Sequence, residues 1–254
     1  MPDLVCIYRL SDANKNTKLP YATKQACLLN FIKHFDPSTV HLLVDSNGLS
    51  SETYNFCKSL HDTHSFAKVA LFGQKNDGKL PYLGSQYEGG SSSASWRSGW
   101  RYLNELKLED SQLIYLTEDD YIHRSNAKTV LLEGLDRAAY CSLYDHKDKY
   151  IPASRGGNQY TEDDGGQQTR ILTTNSAHWR LTNSTTLTFA SSIKVLREDE
   201  NIWSKWTAGS HPNDYQAFLE LNLKGRSLIT PIPGYSTHAE MAWASPFIDW
   251  EKEL

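Results

Sequence analysis

No stretch of this 254-residue chain approaches the roughly 20 consecutive apolar residues that span a bilayer. No transmembrane segment is therefore expected. The opening Met1-Pro2-Asp3 leads straight into an apolar run, which is not the pattern of a signal peptide. Cysteine is scarce, and Cys6, Cys27, Cys57 and Cys141 form no C-x-x-C pair. Their spacing argues against a zinc site and against a disulfide framework, and each lies within an apolar segment, as a buried thiol in a reducing compartment would. The formal net charge is only -4 and no Lys/Arg-rich run is present, so nucleic acid is not an expected partner. There is no G-x-x-x-x-G-K-[ST] loop, no G-x-S-x-G elbow and no H-E-x-x-H pair. Aromatics, by contrast, are plentiful, with 7 Trp and 14 Tyr. Those in loops suit stacking on a base or a sugar ring.

The first half alternates between strand and helix periodicity. Strands are expected over Leu4 to Leu10, Val40 to Val44 and Phe66 to Phe72. Helices are expected over Tyr21 to Phe35 and from a cap at Ser50 or Ser51 to about Leu60. This order predicts a mainly parallel sheet with right-handed crossovers. A long polar segment, Gly73 to Ser93, reads as a functional loop, and Ser95 to Leu106 as a helix carrying Arg97. In the second half the pattern predicts a helix over Asn126 to Ala138 and a strand over Ala139 to Tyr144. A strand over Thr169 to Thr174 and a helix from Ser184 to about Arg197 follow, then a helix over Asn213 to Leu223 and a strand over Ser227 to Ile232. With no internal repeat and no low-complexity linker, one α/β domain spanning 1–254 is expected. Residues up to about 125 would form its first half and residues from about 126 its second.

The most informative segment is Leu113 to Tyr121, an apolar strand that runs into Glu118-Asp119-Asp120. Acids at the C-terminal end of a buried strand lie at the rim where open α/β sheets bind ligands. Three adjacent like charges are best tolerated when a cation neutralises them. Mg²⁺ or Mn²⁺ prefers oxygen ligands, takes one or two protein carboxylates, and completes its shell with phosphate and water. Strand alternation sends the side chains of residues 118 and 120 to one side. Asp120 is therefore expected to bind the metal directly, and Glu118 to meet the ribose or a metal-bound water. Asp119 would turn away to hold a loop. Arg97, a fork of donors on the preceding helix, is placed to reach a diphosphate.

The strand with its Glu118-Asp119-Asp120 tip resembles the DXD motif of GT-A glycosyltransferases, in the nucleotide-diphospho-sugar transferase superfamily, with Glu in place of the first Asp. The resemblance spans the chain loosely. It implies a Rossmann-like GT-A domain, a first half that binds a UDP-, GDP- or dTDP-sugar, and a second half that binds a glycan acceptor. It further implies a late histidine returning to the metal, which His238 in Gly234-Tyr235-Ser236-Thr237-His238 matches. The ends of the first two strands would flank the base, at Tyr8, Arg9, Leu10 and Ser11 and at Asp45 and Ser46. A catalytic base near a helix start in the second half matches Asp214 in His211-Pro212-Asn213-Asp214-Tyr215, with Glu162, Asp163, Asp164 and Asp145 as alternatives. His178, Trp179, Trp203 and Trp206 are candidates for an acceptor platform. Inverting transfer is the chemistry such a base serves: it takes the acceptor hydroxyl's proton while the metal stabilises the departing diphosphate. Without a hydrophobic stem, the resemblance is to a cytoplasmic bacterial or viral enzyme that builds a surface glycan.

Three other readings compete. A nucleotidyltransferase that makes nucleotide sugars has the same sheet order, but its usual glycine-rich segment after the first strand is missing from Ser11-Asp12-Ala13-Asn14-Lys15-Asn16. A non-catalytic carbohydrate-binding module suits the aromatics but not the α/β order or the triple acid. A metal-dependent phosphodiesterase or nuclease would offer more His and Asp at strand ends.

Overall fold

The computed structural model describes residues 4–12, 18–74 and 79–254. Its first half contains β1 (Leu4–Leu10), α1 (Lys24–His34), β2 (Val40–Asp45), α2 (Ser51–Thr63), β3 (Lys68–Phe72), α3 (Ser92–Glu105) and β4 (Leu113–Glu118). The second half contains β5 (Tyr121–His123), α4 (Ala127–Leu135), β6 (Tyr140–Cys141), β7 (Ile171–Thr173), β8 (His178–Thr182) and β9 (Phe189–Ser192). It continues with α5 (Ile193–Glu198), α6 (Glu200–Trp206), α7 (Asp214–Leu223), β10 (Leu228–Ile232) and β11 (Ser236–His238). Most of the longer helices begin at a side chain that accepts from the first turn. Thr23, Ser50, Ser91 and Asn213 cap α1, α2, α3 and α7 in this way.

One nine-stranded sheet, in the order β3-β2-β1-β4-β9-β6-β10-β8-β7, runs through both halves. The first four strands pair in parallel. Following the pairings outward, only β9 and β8 run against the common direction, so the sheet is mainly parallel. Alternation along the strands divides the core between the two faces. Tyr8, Phe31, Phe35, Tyr115 and Trp179 pack on one side with α1, α2 and α4. Ile7, Trp96, Leu103, Phe189, Trp203 and Phe218 pack on the other with α3, α6 and α7. Among the described residues, no helix is long and apolar enough to cross a membrane.

Several second-half expectations need correction. The helix expected from Ser184 does not start there: residues 183–188 form a loop, β9 follows, and Ser192 caps the short α5. The run from Thr188 to Ser191 is buried throughout, so neither period shows. The strand expected over 139–144 is regular only at Tyr140–Cys141. Besides β9, three further strands lie outside the sequence expectation: β5, β8 and β11. Trp179 and Trp203 are fully buried core residues rather than an exposed platform.

Candidate functional site

The three acids sit at the C-terminal tip of β4, beside the end of β1, to which it pairs in register from Leu4↔Leu113 to Arg9↔Glu118. Each acid meets a different cation. Glu118 Oε1 accepts from Arg9 Nη2 at 3.2 Å. Asp119 Oδ2 accepts from Lys24 Nζ at 2.7 Å and from the Ser11 backbone N–H at 2.6 Å. Asp120 Oδ2 lies 2.5 Å from Lys18 Nζ and 3.1 Å from His238 Nε2. Asp119 and Asp120 are buried, whereas the Glu118 side chain keeps a fifth of its surface in solvent.

These surroundings move the titrations apart. Burial pushes the Glu118 carboxyl up to about 7, against the pull of Arg9 and with added repulsion from Asp120. Burial also raises Asp119, although Lys24 opposes it. For Asp120 burial works against ionisation, but His238 and Lys18 outweigh it and hold the carboxyl far below its usual range. Burial would lower the His238 imidazole, yet Asp120 more than compensates and raises it. Asp120 and His238 thus form a buried ion pair whose charges Glu118 also senses.

His238 arrives through a small ladder. β11 pairs antiparallel with β5, setting His238 opposite Tyr121, and the Ala239 N–H donates to the Asp120 carbonyl at 2.7 Å. His123, two residues further along β5, is turned away from the tip. Its Nε2 lies 2.8 Å from the Tyr115 hydroxyl, and its backbone N–H donates to Asn30 Oδ1 at 2.7 Å in the core beneath α1.

A divalent ion with ligands at about 2.1 Å and a right angle between them spans roughly 3 Å from donor to donor. The Asp120 Oδ2 to His238 Nε2 separation of 3.1 Å fits that requirement. Lys18 Nζ sits on the same carboxylate oxygen and would have to yield, and His238 would have to give up its Nε2 proton, since only the neutral imidazole binds a metal. No cluster of three or more His, Cys, Asp or Glu side chains suited to a metal occurs among the described residues. A metal here would therefore have two protein ligands.

The residues expected around the base fall into different surroundings. Alternation sends Tyr8 into the core against Phe31, with ring centroids 5.0 Å apart, so its side chain does not reach the rim. Arg9 goes to the other face. It is buried, its guanidinium lies 5.2 Å from the Trp96 ring centroid, and Nη2 also donates to the Leu187 carbonyl. Arg9 Nε and Nη1 are buried without a hydrogen-bond partner among the described residues. Asp45 closes the end of β2: Oδ1 accepts from the Asn47 N–H at 2.9 Å, and Oδ2 from the Gly90 N–H at 2.6 Å. A Cβ at Gly89 would collide with that carboxylate, which explains the glycine there. Asp45 therefore ties the loop ahead of α3 to the strand tips. Arg97 is not at the acid tip. It lines a groove of about 610 Å³ between α3 and α6, donates to the Thr207 carbonyl at 2.9 Å and pairs with Glu88 at 3.1 Å.

Asp214 begins α7, and its Oδ2 accepts from the Thr185 N–H at 2.7 Å and the Thr185 hydroxyl at 3.3 Å. No hydrogen bond engages its Oδ1 among the described residues. The 183–188 loop links Asp214 to the acid tip. The Tyr121 hydroxyl donates to the Thr185 carbonyl, Arg9 to the Leu187 carbonyl, and the Glu118 N–H to the Thr188 hydroxyl. Thr186 (φ 49°) and Leu187 (φ 56°) are both left-handed, a costly backbone for branched side chains that the surrounding bonds enforce.

Of the alternative bases, Asp145 is fully buried, held by Arg180 Nη2 at 2.8 Å and the Tyr150 hydroxyl at 2.7 Å. Glu162, Asp163 and Asp164 are exposed loop acids, with Asp163 accepting from Ser154 and Asp164 from the Gly166 N–H. Lys18, Lys24 and the 183–188 loop are parts of the site that no local motif marks. The two lysines shortly after the first strand were the available signal, since that segment must pass the strand tips.

No known protein family matches the chain, and no curated protein does. Among solved structures, a nucleoside-diphosphate-sugar pyrophosphorylase from Vibrio cholerae RC9 is similar in fold. The likeness covers 93% of this chain and 96% of that one, at 11% identity and a TM-score of 0.50. It establishes the class of architecture, a mixed α/β sheet flanked by helices in a Rossmann-like arrangement.

Proposed function

We propose that the protein is a glycosyltransferase that binds a nucleoside-diphosphate sugar at the acid tip and passes the sugar to a hydroxyl of a glycan acceptor. The observation that supports this is the meeting of Glu118, Asp120 and His238 at the sheet rim, joined through the 183–188 loop to Asp214. Arg9, Lys18 and Lys24 supply positive charge where a pyrophosphate would lie. Asp120 and His238 would hold Mn²⁺ or Mg²⁺, and such an ion would supply positive charge to a departing pyrophosphate. Asp214, anchored through Oδ2, has Oδ1 available to take the proton of the acceptor hydroxyl. As that proton leaves, the acceptor oxygen bonds to the anomeric carbon and the bond from that carbon to the pyrophosphate oxygen breaks, with inversion.

A second reading is a nucleotidyltransferase that makes nucleotide sugars. The pyrophosphorylase-like fold favours it, as do Lys18 and Lys24, which follow β1 and reach the tip as a triphosphate would require. One binding test is common to both readings, and two product assays separate them. Thermal shift with UDP-, GDP-, dTDP- and CMP-sugars, with and without Mn²⁺, tests nucleotide binding, and its complete absence would end both. Release of nucleoside diphosphate in the presence of a glycan supports transfer. Release of pyrophosphate from a nucleoside triphosphate and a sugar 1-phosphate supports synthesis.

A further inference from the structure

A groove of about 580 Å³ runs between the 159–169 loop, the end of β8 and α7. Small-molecule pockets span roughly 300–1,000 Å³. Among the described residues its lining includes no Lys or Arg, and Glu162 is its one carboxylate. The groove instead presents amides, from Gln159, Gln167, Gln168 and Asn222. Gln167 Oε1 is buried without a hydrogen-bond partner among the described residues. The side chains of Gln159, Gln168 and Asn222 make no hydrogen bond among the described residues. Tyr160 stands 49% exposed beside them, while Phe218 and Leu228 supply buried apolar surface.

That lining matches one ligand chemistry. A primary amide offers donors and an acceptor in one plane, and a sugar hydroxyl both gives and takes a hydrogen bond. Neighbouring hydroxyls of a neutral sugar can therefore satisfy an amide on both of its sides. A tyrosine ring covers the apolar face of a pyranose. An anionic glycan would meet no cation here and would be repelled by Glu162.

The groove also lies beside the proposed base. Phe218 and Asn222 follow Asp214 by four and eight residues on α7, about 6 and 12 Å along a helix that rises about 1.5 Å per residue. Asn183 lines the groove two residues before Thr185, which holds Asp214. We propose that this groove binds a neutral oligosaccharide, so that the acceptor is a chain of uncharged sugars whose end reaches Asp214. The orientation towards Asp214 rests on the transferase reading, whereas the glycan chemistry rests on the groove itself.

The test is binding of the whole protein to a printed array of neutral, uronic-acid-containing and sulfated oligosaccharides and short peptides. Asn222→Ala and Gln167→Leu are compared with the parent, with melting temperature and nucleotide-sugar binding measured in parallel. The expected result is retention of neutral oligosaccharides, weakened at least about tenfold in both variants while melting and nucleotide binding stay unchanged. No retention of neutral glycans, retention of only anionic glycans or peptides, or retention that both variants leave intact would overturn the proposal. If a variant melts early, Gln168→Ala, at an exposed position, replaces it under the same criterion. Glycan retention without nucleotide binding would keep the groove assignment and remove the transferase reading; nucleotide binding without glycan retention would do the reverse.

Discussion

The acid tip and the α7 groove solve opposite problems within one sheet. At the tip, Glu118, Asp119 and Asp120 are packed together, and each is matched to a cation of the protein itself. Along the groove, the amides of Gln159, Gln168 and Asn222 make no hydrogen bond among the described residues, and Glu162 is the one charged side chain of the lining described. A dense, internally neutralised cluster can exchange its own cations for those of a charged ligand without leaving a bare carboxylate behind. A lining with a single carboxylate and no cation offers nothing to an anionic ligand, whereas its amides can meet hydroxyls by direction. Under the proposed function the contrast becomes a division of labour, with phosphate chemistry at β4 and glycan contact at α7. Asp214 lies on the boundary, tied to the 183–188 loop that also touches Arg9 and Glu118.

Five substitutions would sharpen or break that contrast. The largest effect is expected from Asp214→Asn, which should lower turnover by about 10²–10⁴-fold and leave nucleotide-sugar affinity unchanged. An equal loss of affinity in calorimetry would show that Asp214 belongs to the donor side. Arg180→Met strips Asp145 of its buried partner and should cost about 3–5 kcal/mol in urea unfolding. A loss below about 1 kcal/mol would mean that the Tyr150 hydroxyl alone satisfies the buried Asp145 carboxyl. Asp120→Asn should weaken Mn²⁺-dependent donor binding by about 100-fold or more, read by thermal shift with and without the metal.

His123 tests the core beneath the tip. Burial lowers its imidazole from 6.5 to about 3, so the folded state binds a proton less readily than the unfolded chain. Its contribution is fully present above pH 6.5 and is lost as pH falls towards 3, with a slope of up to about 1.4 kcal/mol per pH unit. His123→Gln should flatten that part of the stability profile, and an unchanged slope would assign it elsewhere. The smallest effect is expected from Lys18→Met. Its partly exposed pair with Asp120 is worth up to about 1 kcal/mol, so its removal should tighten Mn²⁺ binding by at most about fivefold. Weaker binding would show that Lys18 supports the metal rather than competing with it.

The first half was readable because its signals are local. Apolar runs such as Leu4–Leu10 and Val40–Asp45 alternate with capped helices, and each element declares itself within about ten residues. The second half hid its strands in short or wholly buried segments, including the three residues of β5, the three of β11 and the four of β9. Residues such as Phe189 and Ala190 are covered on both faces and carry no amphipathic period. The same contrast holds at the site. The acids stood out because strand and carboxylates are contiguous. Arg97 lies away from the acids, and a helix position alone does not reveal which carbonyls its guanidinium will meet, here those of Thr207 and Gly209. The pleat sends the Tyr8 side chain into the core and Arg9 to the opposite face, so a strand end does not put both at the rim.

The amino-acid order alone determined the α/β alternation, the strand that ends in Glu118-Asp119-Asp120 and the helix that begins at Asp214, since each depends on neighbours within a few turns of backbone. Only the tertiary structure decided that His238, 118 residues from Asp120, would share its carboxylate with Lys18. It also decided that a strained loop would join Asp214 to the acid tip and that loose amides would gather beside α7. Pairing at such separations is set by sheet register and by the burial of whole elements, which no local pattern encodes.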